Sequence, residues 1–445
     1  MTRILLAAMP ADGHVGPLIP LVRELAARGH EVTWYTGKAY QQKVEAASAR
    51  FLPHVHAPDR DMAQMNEQFP ERAALKGLNK FRFDMREVFI KAVPGQVADL
   101  EASLDTVRPE VIVAEPAMAG AAKVIDQRHD VPWATCGISA FTMASVDTAP
   151  FGLGLRPLRG QLGQLRNRAL NDLIYRTLYR AIDRDYQAMR ETLGLESSGG
   201  VFDTVLSPYL FMQPTVPSFE YPRRDLAPQV HFVGPLLPPA PEGFEPPAWW
   251  DAMLEDPRPV VVVTQGTVAT EPSELLLPTL EALRDEPVQV IAVTGGPDPA
   301  ALPAAPANAR VERFVPFAAL MPHVAALVSN GGYGGLHFAL AHGVPLVVAG
   351  ASEEKPELVA RVNWSGVGVG LRTQRPKPAR LQAAVRRVLS QPAYAARVAA
   401  MQTEMAAYDG PRKAADLVEE LAVTRAPLTG SGSGPRGVNR AARVE

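Results

Sequence analysis

The sequence predicts an α/β protein in which two doubly wound parallel sheets face each other across a cleft. Three observations lead there. With 445 residues, 47% of them hydrophobic, the chain can bury two cores of roughly 200 residues each. In both halves short continuous apolar runs alternate with stretches of helical period, the pattern of parallel strands covered by helices. A Pro-dense stretch separates the two series.

The first series opens with "RILLAAMP", an apolar strand, followed by a Gly/His loop. In "VGPLIPLVRELAARGH", Leu18, Leu21, Val22 and Leu25 recur at helical spacing and Gly29 ends the helix. "EVTWYTG" reads as the second strand, and "PEVIVAEPA", "AAKVIDQRHD" and "VPWATCGIS" repeat the unit. Residues 60–100 and 140–195 read as long helical insertions rich in Met and Phe. Residues 1–215 are therefore assigned to a first domain. Residues 216–258 are dense in Pro, which removes ladder donors and favours extended chain, and are assigned to a linker. Trp249 and Trp250 are expected to pin that linker to the second domain.

The second series runs through "RPVVVVTQGT", "VQVIAVTGG", "ARVERFVPF", "VAALVSNGG" and "GVPLVVAG", giving a second domain over 259–405. Helical composition and period continue to residue 423, and the helix over 406–423 is expected to return to the first domain. Residues 424–445, rich in Gly, Ser and Arg, have little to bury and are expected to be disordered.

The formal charge is −2, so the overall charge gives no reason to expect nucleic acid or an anionic membrane as partner. A small neutral or anionic ligand fits better. The single cysteine, Cys136, excludes an intramolecular disulfide framework and is compatible with a reducing cytoplasm, the expected location. It lies in an apolar run with no basic neighbour and reads as core. The apolar run at the N-terminus is too short for a signal peptide or a membrane span, and no stable membrane insertion is expected. No metal-ligand spacing is present.

Open α/β sheets bind ligands beyond the carboxyl ends of their strands. In the first half these ends offer "PADGHVGP", with Gly13 and His14, and "AEPAMAG", with Glu115. A histidine on a loop that opens a helix can act as a general base when a neighbouring carboxylate holds its other nitrogen. A structural loop role for His14, and a helix N-terminal charge for Glu115, are the alternatives. In the second half "VVVVTQGTVA" brings Thr264, Gly266 and Thr267 to a strand end, where a phosphate could approach the backbone; a plain β-to-α turn is the alternative. "SNGGYGGLHFAL" carries Gly331, Gly332, Gly334 and Gly335 around Tyr333 at a helix start, where open N–H groups favour an anion. In that stretch neither G-x-G-x-x-G nor the P-loop pattern occurs.

Together, "GHVGPLIPLVRELAARGHEVTWYT", "VTQGT", "RFVPFAALMPH" and "SNGGYGGLHFALAHGVPLVV" resemble the family 1 glycosyltransferases of natural-product metabolism, over residues 3 to about 420. "WYTGK", "TVPSFEYPR", "NGGYGG" and "EEKPE" are similar to an actinobacterial subgroup that includes indolocarbazole N-glycosyltransferases and rhamnosyltransferases. The resemblance implies the GT-B fold, two facing Rossmann-like domains, and inverting transfer without a metal or cofactor. A nucleotide-sugar would be the cosubstrate, dTDP- or UDP-linked, and a small-molecule aglycone the acceptor. His14 falls on the family's base and Glu115 where an Asp usually supports it. Phe314 falls on the residue that stacks on the nucleobase and Val315 on the one whose backbone reads the base edge, while Thr267 and the Gly331–Gly335 loop would cradle the diphosphate.

Several positions depart from the family pattern. Asn330 replaces a His and Gly335 a Ser or Thr. Phe338 replaces the Glu that binds ribose hydroxyls, which leans the donor towards a deoxyribose nucleotide; His337 is a partial substitute. Glu354 and Lys355 replace the Asp-Gln pair that holds sugar hydroxyls. The Met and Phe of the insertions are read either as core or as an apolar acceptor wall containing Met65, Phe81, Phe89, Phe141 and Phe151. The oligomeric state is expected to be monomer or homodimer. A nucleotide-sugar epimerase and a non-catalytic partner of a transferase are the competing readings.

Overall fold

The computed structural model describes residues 1–60, 65–197, 199–241, 243–266, 271–352 and 354–430. Strands β1 (Arg3–Ala7), β2 (Glu31–Thr36), β3 (Arg50–Pro53), β4 (Val111–Ala114), β5 (Trp133–Cys136), β6 (Leu210–Gln213) and β7 (Val230–Phe232) form one sheet, ordered β3-β2-β1-β4-β5-β6-β7. Strands β8 (Val260–Thr264), β9 (Gln289–Val293), β10 (Ala309–Glu312), β11 (Val324–Ser329), β12 (Leu346–Ala349) and β13 (Gly368–Leu371) form the other, ordered β10-β9-β8-β11-β12-β13. Every pairing is parallel. A parallel sheet is covered on both faces, which is why β8, "VVVVT", reads as one unbroken apolar run and is buried throughout.

The strand order reverses between β1 and β4 and again between β8 and β11, opening a crevice at each switch point. Register sets what meets there. Ala7 pairs with Ala114, so the residues that follow β1 stand beside Glu115. Ser329 pairs with Thr264, so Asn330 stands beside Gln265.

Each sheet carries a core on either face. The core on one face of the second sheet also takes in Ala140, Val216 and Phe219 of the preceding half, so the two halves share buried apolar surface. Helix Gly410–Thr424 packs on the first sheet, placing Ala414, Ala415, Val418 and Leu421 among Leu18, Leu21 and Leu25. Arg28 adds ion pairs to Asp416 (2.6 Å) and Glu419 (3.0 Å), which at a surface contribute less than the burial. The chain thus crosses between the halves twice, and the crossings touch. A side chain at Gly234 would meet Tyr408 Cβ at 2.3 Å, and one at Gly410 the carbonyl of Pro235 at 2.3 Å.

Two sequence expectations need correction. β7 lies inside the stretch read as linker; its Pro-rich surroundings hid it, but a three-residue edge strand needs a partner on one side only. The stretch read as a disordered tail stays packed up to Gly430. Leu428 is buried and its N–H donates to Tyr209 O (2.9 Å), while Gly430 N–H donates to Pro228 O (3.0 Å). Residues 431–445 of that stretch lie outside the described residues. Trp250 is buried in the second half's core and Trp249 Nε1 donates to Glu312 (2.5 Å), which anchors the linker there. Among the described residues no helix is long and apolar enough to cross a membrane.

Candidate active site

At the first switch point His14 sits in the short helix Asp12–Val15 that follows β1, and Glu115 is the first residue after β4. Glu115 is fully buried. Its carboxylate accepts from Met9 N (3.1 Å) and Ala117 N (2.9 Å), the latter capping the turn Pro116–Met118. These two backbone donors fix Glu115 Oε2 at 3.1 Å from His14 Nδ1. At that distance the carboxylate is the close charge partner of the ring nitrogen. Nδ1 is buried although a quarter of the His14 side chain is exposed, so the exposure belongs to the rest of the ring.

Burial opposes a charge on His14. The Glu115 carboxylate outweighs it and, with a further contribution from Glu354, holds the His14 pKa above the ordinary histidine value. Glu354 belongs to the second half, at the N-cap of helix Lys355–Ser365. A charge of the second half thus contributes at His14. Gly13 beside His14 borders open space.

At the second switch point the side-chain amide of Asn330 donates to the carbonyl of Gln265, tying the loop after β11 to the loop after β8. Gly331 adopts φ +98°, which a residue with a side chain rarely takes, and its N–H donates to Ser329 Oγ (3.1 Å). Gly332 caps helix Tyr333–Ala341 without any side-chain bond. A Cβ on Gly332 or Gly334 would meet nothing within 4 Å, and one on Gly335 only the Phe317 ring at 3.5 Å. The first N–H groups of a helix lack intrahelical partners, so here they face open space where an anion can approach. Lys355 is buried, its stem beside Gly331 and Gly350. Phe314 is 71% exposed while Val315 is buried. Gly266 (φ +80°) lies against the Asn330 amide; Thr267 is outside the described residues.

Other candidate residues are placed differently. His337 is buried, with Nδ1 at 2.8 Å from Tyr333 O and Nε2 at 2.7 Å from Thr215 Oγ1, and burial pushes its pKa down to about 4. Neither ring nitrogen is left for a ribose, so the expectation of a donor contact is corrected: His337 joins the halves. Tyr333 does likewise, its buried hydroxyl accepting from Gln213 Nε2 (2.8 Å) at the end of β6. Met65 and Phe141, each 3% exposed, are core rather than acceptor wall. Met65 packs with Val88 and Ile90, and Phe141 with Phe211 and Phe232 beneath Arg223. Phe81 and Phe89 flank that first core, Phe81 parallel to Phe202. Phe151 packs against the core of the second half.

The sequence reading missed a buried ion cluster between the halves. Arg361 donates to Glu220 (2.8 and 3.0 Å) and to Glu357 (3.0 Å), and its guanidinium stacks 4.3 Å over Tyr221. Glu357 also accepts from Gly152 N (2.9 Å) and Gly154 N (2.8 Å), and Arg372 donates to Leu153 O (3.1 Å). The loop after β5 is therefore held by the helix that opens with Glu354 and Lys355. An acid and an arginine four apart inside the apolar run "KPELVARV" were the available signal.

The arrangement sets a histidine–carboxylate pair in one half and an open helix start in the other, with helix Lys355–Ser365 bonded across to the first half. Among the described residues no group of three or more His, Cys, Asp and Glu is placed to hold a metal ion.

Comparison with known proteins supplies the chemistry. Residues 274–421 match the family described as erythromycin biosynthesis protein CIII-like, C-terminal domain. The chain is 46% identical over 421 residues to 4'-demethylrebeccamycin synthase of Lentzea aerocolonigenes, covering 94% of this chain and 99% of that one. It is 32% identical over 438 residues to UDP-glycosyltransferase 2 of Phaeomoniella chlamydospora, covering 94% and 95%. The calicheamicin glycosyltransferase CalG4 superposes with a TM-score of 0.73 at 24% identity, over 96% of this chain and 100% of that one. By sequence across nearly its whole length and by fold, this chain belongs to the GT-B glycosyltransferases of natural-product type, which use nucleotide-sugars.

Proposed function

We propose that the enzyme transfers a sugar, with inversion, from a nucleoside diphosphate donor to a hydrophobic aglycone of secondary metabolism, with His14 as general base. The observation that carries this reading is the His14–Glu115 pair, 3.1 Å apart at the switch point and under the charge of Glu354 from the other half. With Nδ1 turned to Glu115, Nε2 is the nitrogen that takes the acceptor proton. The acceptor then attacks the anomeric carbon from the face opposite the nucleotide. The diphosphate leaves against the backbone N–H groups at the start of helix Tyr333–Ala341, which stabilise its growing charge without a metal ion. Phe314, exposed two residues after β10, would cover the base.

Phe338 packs with the second half's core and edge-on to Phe317 (6.0 Å), leaving an apolar group where a ribose diol would need an acceptor. This favours a dTDP-sugar. The name of the Phaeomoniella chlamydospora relative, a UDP-glycosyltransferase, gives the competing donor. On the acceptor side Phe81, Phe89 and Phe151 remain as the apolar wall, and the similarity to 4'-demethylrebeccamycin synthase supports a polycyclic natural-product aglycone.

The test is incubation of the purified protein with dTDP- and UDP-sugars and a panel of aromatic aglycones, read by mass spectrometry. Sugar transfer is expected with the wild type and not with His14→Ala. Transfer by that variant at the wild-type rate would remove His14 from the mechanism, and stronger thermal stabilisation by UDP than by dTDP would overturn the donor preference.

A further inference from the structure

Helix Gly160–Ile174 is apolar on the face it does not bury. Gly163 and Asn167 are turned inward, and Asn167 Nδ2 donates to Val146 O (3.1 Å). Away from that side Leu162, Leu165, Ala169 and Leu173 recur at three- and four-residue spacing, forming one stripe along the helix. Leu162 is 81% exposed, Leu165 65% and Leu173 55%. Single exposed leucines are ordinary, whereas an aligned set marks an interaction surface.

Charge decides the partner. Residues 156–180 hold six arginines (Arg156, Arg159, Arg166, Arg168, Arg176, Arg180) against one acid, Asp172, a local charge of +5 on a chain whose net charge is −2. Arg159, Arg168, Arg176 and Arg180 are exposed. Leucines in line, rimmed by arginines, are the composition of a helix that lies in a membrane interface. A second copy of the chain is a poor occupant, because a twofold contact sets the patch on itself and brings like charge against like charge.

We infer that this face docks on an anionic phospholipid bilayer, with the leucines at the acyl boundary and the arginines on headgroup phosphates. The overall charge concealed this surface. The loop that Glu357 holds, residues 152–154, lies just before the stripe. Docking would set the acceptor side of the enzyme beside a layer in which a hydrophobic aglycone dissolves. That last clause rests on the transfer reading, whereas lipid binding does not.

The full chain is tested by sedimentation with vesicles of phosphatidylcholine alone and of phosphatidylcholine mixed with phosphatidylglycerol. Binding is expected only to the mixed vesicles, weakening as salt is raised. The double variant Leu162→Asp/Leu165→Asp is expected to bind at least about tenfold more weakly, with unchanged melting temperature and unchanged transfer to a water-soluble acceptor. Absence of sedimentation with mixed vesicles, or equal binding by the double variant, would overturn the inference. So would a wild-type dimer in light scattering that the double variant dissolves, which would assign the stripe to self-association. Loss of transfer activity with vesicle binding intact would count against the transfer reading alone.

Discussion

The two switch points are built on the same strand order and work by opposite means. At the first, chemistry resides in side chains: His14 and Glu115 come from adjacent strand ends, and two backbone N–H groups fix the carboxylate. At the second, side chains withdraw. Asn330 is spent on the carbonyl of Gln265, Tyr333 and His337 turn to the other half, and what faces the cleft is glycine backbone. On the proposed reading, one fold yields a proton-transfer site where side chains gather and an anion site where they are absent.

The largest effect that separates the two regions is expected from His14→Ala, which should lower the transfer rate by about 10²–10⁴-fold while leaving donor affinity, measured by calorimetry, unchanged. A parallel loss of donor affinity would show that the regions are not separate. The joint between them comes next. Arg361→Met removes the cation hydrogen-bonded to buried Glu220 and Glu357 and leaves only the more distant charge of Arg223, which should cost about 3–5 kcal/mol and appear as a lower melting temperature. An unchanged melting curve would mean that the cluster does not hold the halves.

Gly334→Asp examines the second region from the opposite direction. Its Cβ enters open space and a carboxylate suits a helix start, so the fold should be unharmed. Donor binding should weaken by about tenfold or more, since the added charge occupies the anion's place. Donor binding at wild-type strength would displace the diphosphate from this loop.

Two pH effects are smaller. Because Glu115 holds the His14 pKa up, and the base must be neutral to work, the acid limb of the rate profile should lie above the ordinary histidine value. Glu115→Gln should move that limb to lower pH, and an unmoved limb would assign it to another group. His337 has the reverse sign. It stays neutral when folded down to about pH 4, while the unfolded chain binds its proton near 6.5. Stability should therefore fall as pH drops through that interval. Thermal melts across it should flatten in His337→Gln.

The sheets and their switch-point loops were legible in the sequence because continuous apolar runs such as "VVVVT" have one reading in a parallel sheet. His14, Glu115 and the glycine loop followed from position after a strand. What stayed hidden depended on a partner from elsewhere in the chain. Nothing local in "GGLHF" tells that Thr215 waits for His337. Nor does the spacing of Met65 and Phe141 distinguish a core from a wall. The leucines of helix Gly160–Ile174 pose the same difficulty inverted: their period is that of a buried face, and only the fold shows that nothing within the described residues buries it.

The contact between Gly234 and Tyr408, and between Gly410 and Pro235, has a mechanical meaning. The two segments that join the halves run side by side there, so the covalent joint occupies one place, while the contacts of Arg361, Tyr333 and His337 hold the halves elsewhere. The absence of side chains on the two glycines is what lets the segments lie that close. A side chain at either position would act as a wedge driven between the crossings.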